Sequence, residues 1–200
     1  DLRKAVEFGL HIPAGVKYDF GAVMARMRKL RARISHNDSA QRYSKLGVDV
    51  YIGSGRFTGR DAIQVEGPAG NRTLQFVKAA ICTGARASAP QTPGLHEAGY
   101  LTNETVFSLT ELPPRLAVIG AGPIGGELAQ SFARFGSQVN LIEAQHGIMP
   151  SEDRDAAQIV EQQMAKEGVH LLCCGKDLKV NKVEGGKRLT VDSHGQQYDV

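Results

Sequence analysis

A glycine-rich segment between an apolar run and an amphipathic run most constrains the fold of this chain. The apolar run Arg115–Ile119 leads directly into a GxGxxG pattern, and apolar residues at helical spacing follow it. In a strand–loop–helix unit the first glycine allows a tight turn, the second lets the backbone approach a pyrophosphate, and the third packs the helix against the strand. The segment therefore predicts a phosphate-binding loop at a helix N-terminus. Its residues are Gly120, Ala121, Gly122, Pro123, Ile124, Gly125 and the following Gly126.

Strands and helices alternate in the second half of the chain. Apolar runs predict strands at 115–119, 139–142 and 169–174, and helical spacing predicts helices at 124–135 and 153–167. This order is typical of a parallel sheet with right-handed crossovers, which is an α/β, Rossmann-like arrangement. Residues 178–200 alternate around a turn at 184–186 and predict a small antiparallel extension.

Two glutamates follow the loop in sequence, and one of them is expected to determine which dinucleotide the loop binds. Glu143 ends the second predicted strand, where a carboxylate accepts hydrogen bonds from both ribose hydroxyls and repels a 2′-phosphate. This position favours NAD(H) over NADP(H), the alternative being an ordinary solvated carboxylate at a strand end. Glu127 lies in the first turns of the predicted helix, where its simplest role is to interact with the helix dipole.

The first half of the chain has a different pattern. Helical spacing predicts a helix over 19–35 with one basic face, and short β-rich runs predict an antiparallel meander over 48–84. The predicted strands are 48–52, 62–65, 73–77 and a final buried strand at 80–83. Prolines and glycines make 86–100 an irregular connector, so the sequence predicts two domains, 1–100 and 101–200.

Charge and hydropathy exclude several classes of partner. Twenty-four Lys and Arg against 21 Asp and Glu give a net charge of +3, and no aromatic residues alternate with the basic ones of the first helix to stack bases. No apolar run is long enough to span a bilayer. We therefore expect neither a nucleic acid nor a membrane as partner.

The cysteines and histidines suggest no metal site. Three cysteines form no disulfide framework, which favours the cytoplasm, and Cys82 is expected to be a buried small hydrophobe. Cys173 and Cys174 are predicted to point to opposite faces of one strand, which makes a shared metal ion or a disulfide improbable. The six histidines show no ligand spacing.

Several segments, in order and spacing, resemble the flavin-dependent pyridine nucleotide-disulfide oxidoreductases, and the dihydrolipoyl dehydrogenase and mercuric reductase-like members are most similar. They are residues 81–86, Pro93-Gly94, residues 101–109 and the loop 118–127. The similarity extends over nearly the whole chain. It implies that residues 1–100 are part of an FAD-binding domain and residues 101–200 most of an NAD(P)-binding domain.

The resemblance also implies roles for individual residues. Thr83, Gly84 and Ala85 would pass close to FAD, Gly55 would contact its adenosine end, and Glu127 would lie beside the nicotinamide. The chemistry implied is hydride transfer between NAD(P)H and FAD, then reduction of a disulfide, a metal ion or a similar small-molecule acceptor. The full-length protein is expected to be a homodimer.

The chain also departs from the family pattern. It lacks the family's N-terminal GxGxxG, its pair of redox cysteines four residues apart and its C-terminal dimerisation domain. We therefore expect a central fragment of a longer enzyme, inactive by itself. The alternative is a non-catalytic module that binds a nicotinamide dinucleotide, and a redox cysteine pair in the parent chain would favour the enzyme.

Overall fold

The computed structural model describes residues 5, 7–13 and 15–200. The first residues of the predicted 1–100 domain, residues 1–4, lie outside the described residues. The chain divides into two compact units, one formed by Asp1–Arg26 with Ala87–Val200 and the other by Met27–Arg86. The sequence places a boundary near residue 100 instead, and the assignment of two cofactor domains stays a prediction.

The first helix, α1 (Phe20–Ile34), begins and ends within a residue of its predicted bounds. Asp19 caps it, because its carboxylate accepts a hydrogen bond from the Ala22 N–H at 2.8 Å. The apolar stripe is buried only in part: Phe20 packs against the rings of Phe132 and Phe135, whereas Leu30 is exposed. The first turns of α1 thus belong to the unit that contains the glycine loop.

The smaller unit contains a short helix and an antiparallel sheet. Helix α2 (Ala40–Lys45) precedes β1 (Ser54–Phe57), β2 (Ala62–Gly67) and β3 (Gly70–Gln75), which pair in the order β1-β2-β3. The predicted strands at 62–65 and 73–77 correspond to β2 and β3, and the antiparallel meander is confirmed.

The two outer strands predicted for this meander are wrong. Residues 48–52 and 80–83 form no strand, whereas Ser54–Phe57, where no strand is predicted, becomes β1 by pairing with β2. Cys82 is exposed rather than buried. β-rich composition alone does not make a strand, because a strand also needs a hydrogen-bonding neighbour.

The larger unit has a parallel sheet at its centre. Its elements are the short helix α3 (Leu95–Ala98), β4 (Arg115–Ile119), α4 (Pro123–Phe135), β5 (Gln138–Ile142), α5 (Arg154–Lys166) and β6 (Val169–Leu172). The strands pair in parallel in the order β4-β5-β6, with Leu141 fully buried. All five predicted elements of this unit are present, and the predicted α/β fold is confirmed.

An antiparallel sheet completes this unit, as the alternation over 178–200 predicts. It consists of β7 (Lys176–Val183), β8 (Gly186–Ser193) and β9 (Gln196–Asp199). Val180 and Val191 of this sheet share one apolar core with Ile142 and Leu172 of the parallel sheet and with Leu95 of α3. The two sheets therefore bury a common core.

The prediction that Cys173 and Cys174 point to opposite faces of one strand is wrong. Strand β6 ends at Leu172, so both cysteines lie in the loop that follows, and Cys174 has a φ of 54°. Alternation between faces holds only within a strand, and the left-handed residue redirects the chain. Their sulfur atoms therefore come together with ring nitrogens of His146 and His194, which are distant in sequence.

Among the helices of the described residues, none combines the length and the apolar character that crossing a membrane requires.

An ion pair joins the ends of α4 and α5. Arg134 Nε donates to Glu167 Oε2 at 2.7 Å and Arg134 Nη2 donates to Glu167 Oε1 at 2.8 Å. The Glu167 side chain is only 7% exposed, and Gln163 also donates to it. The hydrogen bond from Arg134 is the main reason that the pKa of Glu167 falls to about 2.

We expect Glu167→Gln to lower the free energy of unfolding at pH 7 by about 1–2 kcal/mol, because Arg134 loses its anionic partner. The folded pKa is depressed, so this stabilisation is present above about pH 4.5 and is lost as the pH falls toward 2. Urea unfolding at several pH values measures the difference. Glu184→Gln in the exposed β7–β8 turn is the control; a Glu167→Gln difference that stays constant down to pH 2 would contradict the ion pair.

Candidate dinucleotide site

The glycine loop leaves the end of β4 and turns at once into α4. Gly120 has a φ of 99°, in the left-handed region that favours glycine. Its N–H donates to the Ile142 carbonyl oxygen at 2.8 Å, which continues the pairing of β4 with β5 by one residue. The loop thus begins at the carboxyl edge of the parallel sheet, where ligands bind in open α/β sheets.

The three glycines of the motif meet different requirements. A Cβ on Gly125 would lie 1.9 Å from the Gly120 carbonyl oxygen, so close packing of helix against loop requires glycine there. Gly122 has a φ of −68°, which any residue adopts, and a Cβ on it would meet nothing within 4 Å. Neither backbone conformation nor internal packing requires a glycine at 122, so its bare backbone faces open space.

Helix α4 itself provides no anionic group at its N-terminus. Its N-cap, Gly122, provides no side chain, its first residue, Pro123, has no N–H, and its first turn contains no acidic residue. The positive end of the helix dipole is therefore available to an external anion. Ile124, the second residue of the helix, is 57% exposed beside this end.

Glu143 directly follows β5, at the strand end where the sequence predicts it, and its side chain lies against the loop. Its Oε2 accepts a hydrogen bond from the Ala121 N–H at 2.8 Å, and its Oε1 accepts one from the Gln145 N–H at 2.9 Å. A carboxylate has about four acceptor positions, so two stay open to hydroxyl donors. Gln145 was missed, because its contribution is a backbone N–H that no residue type signals.

A second segment supports the loop from the other side. The Ala121 carbonyl oxygen accepts a hydrogen bond from the Met149 N–H at 2.8 Å, and Ala121 itself is fully buried. Arg154 Nη2 donates to the Ile148 carbonyl oxygen at 2.7 Å and so holds the supporting segment in place. Both backbone groups of Ala121 are thus paired, which gives the loop a defined shape.

Glu127 is exposed and is the fifth residue of α4. The dipole explanation is weak there, because the effect falls off within the first turn. Its role beside a nicotinamide stays a prediction.

The residues predicted to contact FAD all lie in the smaller unit. Gly55 is exposed in β1, and Thr83, Gly84 and Ala85 are exposed in an irregular segment. Gly84 has a φ of 70°, and a Cβ on it would meet nothing within 4 Å. Their backbone is accessible to a ligand, and contact with FAD stays a prediction.

Comparison with known proteins gives a consistent picture. Residues 7–200 match the family model for pyridine nucleotide-disulphide oxidoreductases. A mercuric reductase from Bacillus cereus is 26% identical over 94% of this chain and 29% of its own length. A dihydrolipoyl dehydrogenase from Acholeplasma laidlawii is 28% identical over 96% of this chain and 58% of its own length.

A solved structure is similar to this chain over almost its whole length. The crystal structure of LpdA from Mycobacterium tuberculosis superposes with a TM-score of 0.78 and 26% identity, covering 99% of this chain and 43% of that one. The chain thus spans less than two thirds of each of these relatives. Because the family model matches almost the entire sequence, the chain belongs to the pyridine nucleotide-disulphide oxidoreductase family.

Proposed function

We propose that this chain binds NAD(H) through residues 120–126 and Glu143, as part of an FAD-dependent oxidoreductase. The observation that carries this proposal is Gly122: a glycine that neither conformation nor packing requires, at the uncapped N-terminus of α4. A bound pyrophosphate explains the glycine, because only a residue without a side chain lets the anion reach the backbone.

Different groups of the chain would bind different parts of the dinucleotide. The N-terminal end of α4 holds the diphosphate through N–H groups and the helix dipole, and the open acceptor positions of Glu143 receive the ribose hydroxyls. The Glu143 carboxylate also repels a 2′-phosphate, which favours NAD(H) over NADP(H). The bonds from Ala121 and Gln145 fix this carboxylate before any ligand arrives.

For the flavin, the family resemblance supports contacts from Thr83, Gly84, Ala85 and Gly55. With both cofactors bound, the chemistry available is hydride transfer between nicotinamide and flavin. The relatives are named for different substrates, so the acceptor is proposed only as a disulfide, a metal ion or a similar small molecule. We expect the full-length enzyme to be a cytoplasmic homodimer in which Glu127 lies beside the nicotinamide, and the present chain to be inactive alone.

Isothermal titration with NADH and then NADPH, at one fixed salt concentration, tests the proposal. We expect saturable binding of NADH that is tighter than that of NADPH, because Glu143 repels the 2′-phosphate. A folded chain that binds neither cofactor would contradict the site. NADH binding without flavin-dependent turnover in the full-length protein would instead favour a non-catalytic binding module.

Two alanine substitutions separate ligand binding from folding. We expect Gly122→Ala to weaken NADH binding by about tenfold or more, roughly 1.4 kcal/mol, with an unchanged thermal midpoint, because its Cβ enters only the ligand's space. Gly125→Ala should lower the free energy of unfolding by about 1–3 kcal/mol, because its Cβ overlaps the Gly120 carbonyl oxygen. Titration calorimetry and thermal unfolding of both variants measure this, and equal NADH affinity in wild type and Gly122→Ala would remove the pyrophosphate from this loop.

Reversing the charge of Glu143 tests the ribose contact. Glu143→Arg also loses the hydrogen bonds to the loop, so both affinities should fall, and the informative quantity is the ratio of the two Kd values. We expect the preference for NADH over NADPH to fall by about tenfold or more, because an arginine attracts the 2′-phosphate. Glu184→Arg, in the exposed β7–β8 turn, is a control with the same charge change. An unchanged ratio in Glu143→Arg would place the ribose elsewhere.

A further inference from the structure

Four potential metal ligands come together in the larger unit. They are His146 in the segment after β5, Cys173 and Cys174 in the loop after β6, and His194 in the β8–β9 turn. One ligand atom from each residue lies within 4.8 Å of the others. The two cysteines are half-buried and free, and both histidines are exposed.

Two contacts in this cluster each join a cysteine to a histidine. Cys173 Sγ lies 3.2 Å from His194 Nε2, and Cys174 Sγ lies 3.7 Å from His146 Nδ1. In a tetrahedral zinc site with bonds of about 2.3 Å to sulfur and about 2.0 Å to nitrogen, neighbouring ligand atoms are roughly 3.3–3.8 Å apart. The Cys174–His146 distance lies in this range, and the Cys173–His194 distance is just below it. Rotation of the two exposed imidazole rings can adjust the positions of the ligand atoms.

We propose that His146, Cys173, Cys174 and His194 form a structural site for Zn²⁺. Two thiolates and two imidazoles are a ligand set that selects a tetrahedral, thiophilic divalent cation. The protein fills all four positions, which is typical of a structural rather than a catalytic site. Binding releases both thiol protons to solvent, and Zn²⁺ with two thiolates has no net charge, which suits a half-buried place.

Two hydrogen bonds connect the segments that carry the ligands. Ser193 Oγ donates to the Cys173 carbonyl oxygen at 2.6 Å, and the Cys174 N–H donates to the Gln145 carbonyl oxygen at 2.9 Å. Cys174 and His194 both have a φ of 54°, a conformation uncommon for residues other than glycine. The metal would thus join the parallel sheet's loops to the antiparallel sheet, and it uses no group assigned to the dinucleotide.

The test is metal content and cobalt spectroscopy of the reduced chain. The chain is purified under a thiol-free reductant and zinc is measured by mass spectrometry, then zinc is exchanged for cobalt(II). Two variants remove ligands, the double substitution Cys173→Ser with Cys174→Ser and the milder His194→Gln. Cys82→Ser and His36→Gln are matched controls outside the cluster, and circular dichroism checks that every variant is folded.

We expect one zinc per chain in wild type and both controls, and the visible bands of tetrahedral cobalt–thiolate after exchange. The double variant should lose both signals, and His194→Gln should bind zinc at least about tenfold more weakly. Excess zinc should raise the thermal midpoint of wild type by about 5–10 °C at a hundredfold excess over Kd, and leave that of the double variant unchanged.

Three results would overturn the proposal. One is a folded, reduced wild type that binds neither zinc nor cobalt. Another is zinc that persists in the double variant. The third is a Cys173–Cys174 disulfide, seen as the loss of two hydrogens in the intact mass, in a chain that still binds no metal after reduction.

Discussion

The backbone pairing of one residue, Ala121, determines the shape of the candidate dinucleotide site. The N–H of Ala121 donates to the Glu143 carboxylate, and its carbonyl oxygen accepts from the Met149 N–H. These two bonds hold the glycine loop between the ends of β4 and β5 and fix the direction in which α4 begins. The Glu143 carboxylate thus supports the loop, and in the proposed function it would also receive the ribose hydroxyls.

Most of the groups that form the two proposed sites lie at the carboxyl edge of the parallel sheet. The glycine loop follows β4, Glu143 and His146 follow β5, and the two cysteines follow β6. Loops after neighbouring parallel strands meet at one edge, so residues distant in sequence become neighbours. Residues 143–145 connect the proposed dinucleotide and zinc sites. The Glu143 carboxylate accepts a hydrogen bond from the Ala121 N–H on one side, and the backbone carbonyl oxygens of Glu143 and Gln145 accept from the N–H groups of Gly175 and Cys174 on the other.

The predictions succeeded where a local pattern and the tertiary structure required the same conformation. The strands and helices of the larger unit lie within a few residues of their predicted bounds, because each has apolar residues that the tertiary structure buries at least in part. They failed at 48–52 and 80–83, where apolar, β-branched residues have no strand beside them. They failed again at Cys173 and Cys174, because strand periodicity was extended two residues past the end of β6.

The α/β order, the glycine loop and the place of Glu143 at the end of a strand could be predicted from the amino-acid sequence, since each depends on residues that are near neighbours or on one strand–helix–strand unit. The sequence also carried the family resemblance. The three-dimensional structure was needed to show that neither the backbone conformation nor the packing requires a glycine at position 122, since this depends on what would surround a Cβ there. It also brought together His146, Cys173, Cys174 and His194, because three separate loops converge only after the two sheets have packed on a common core.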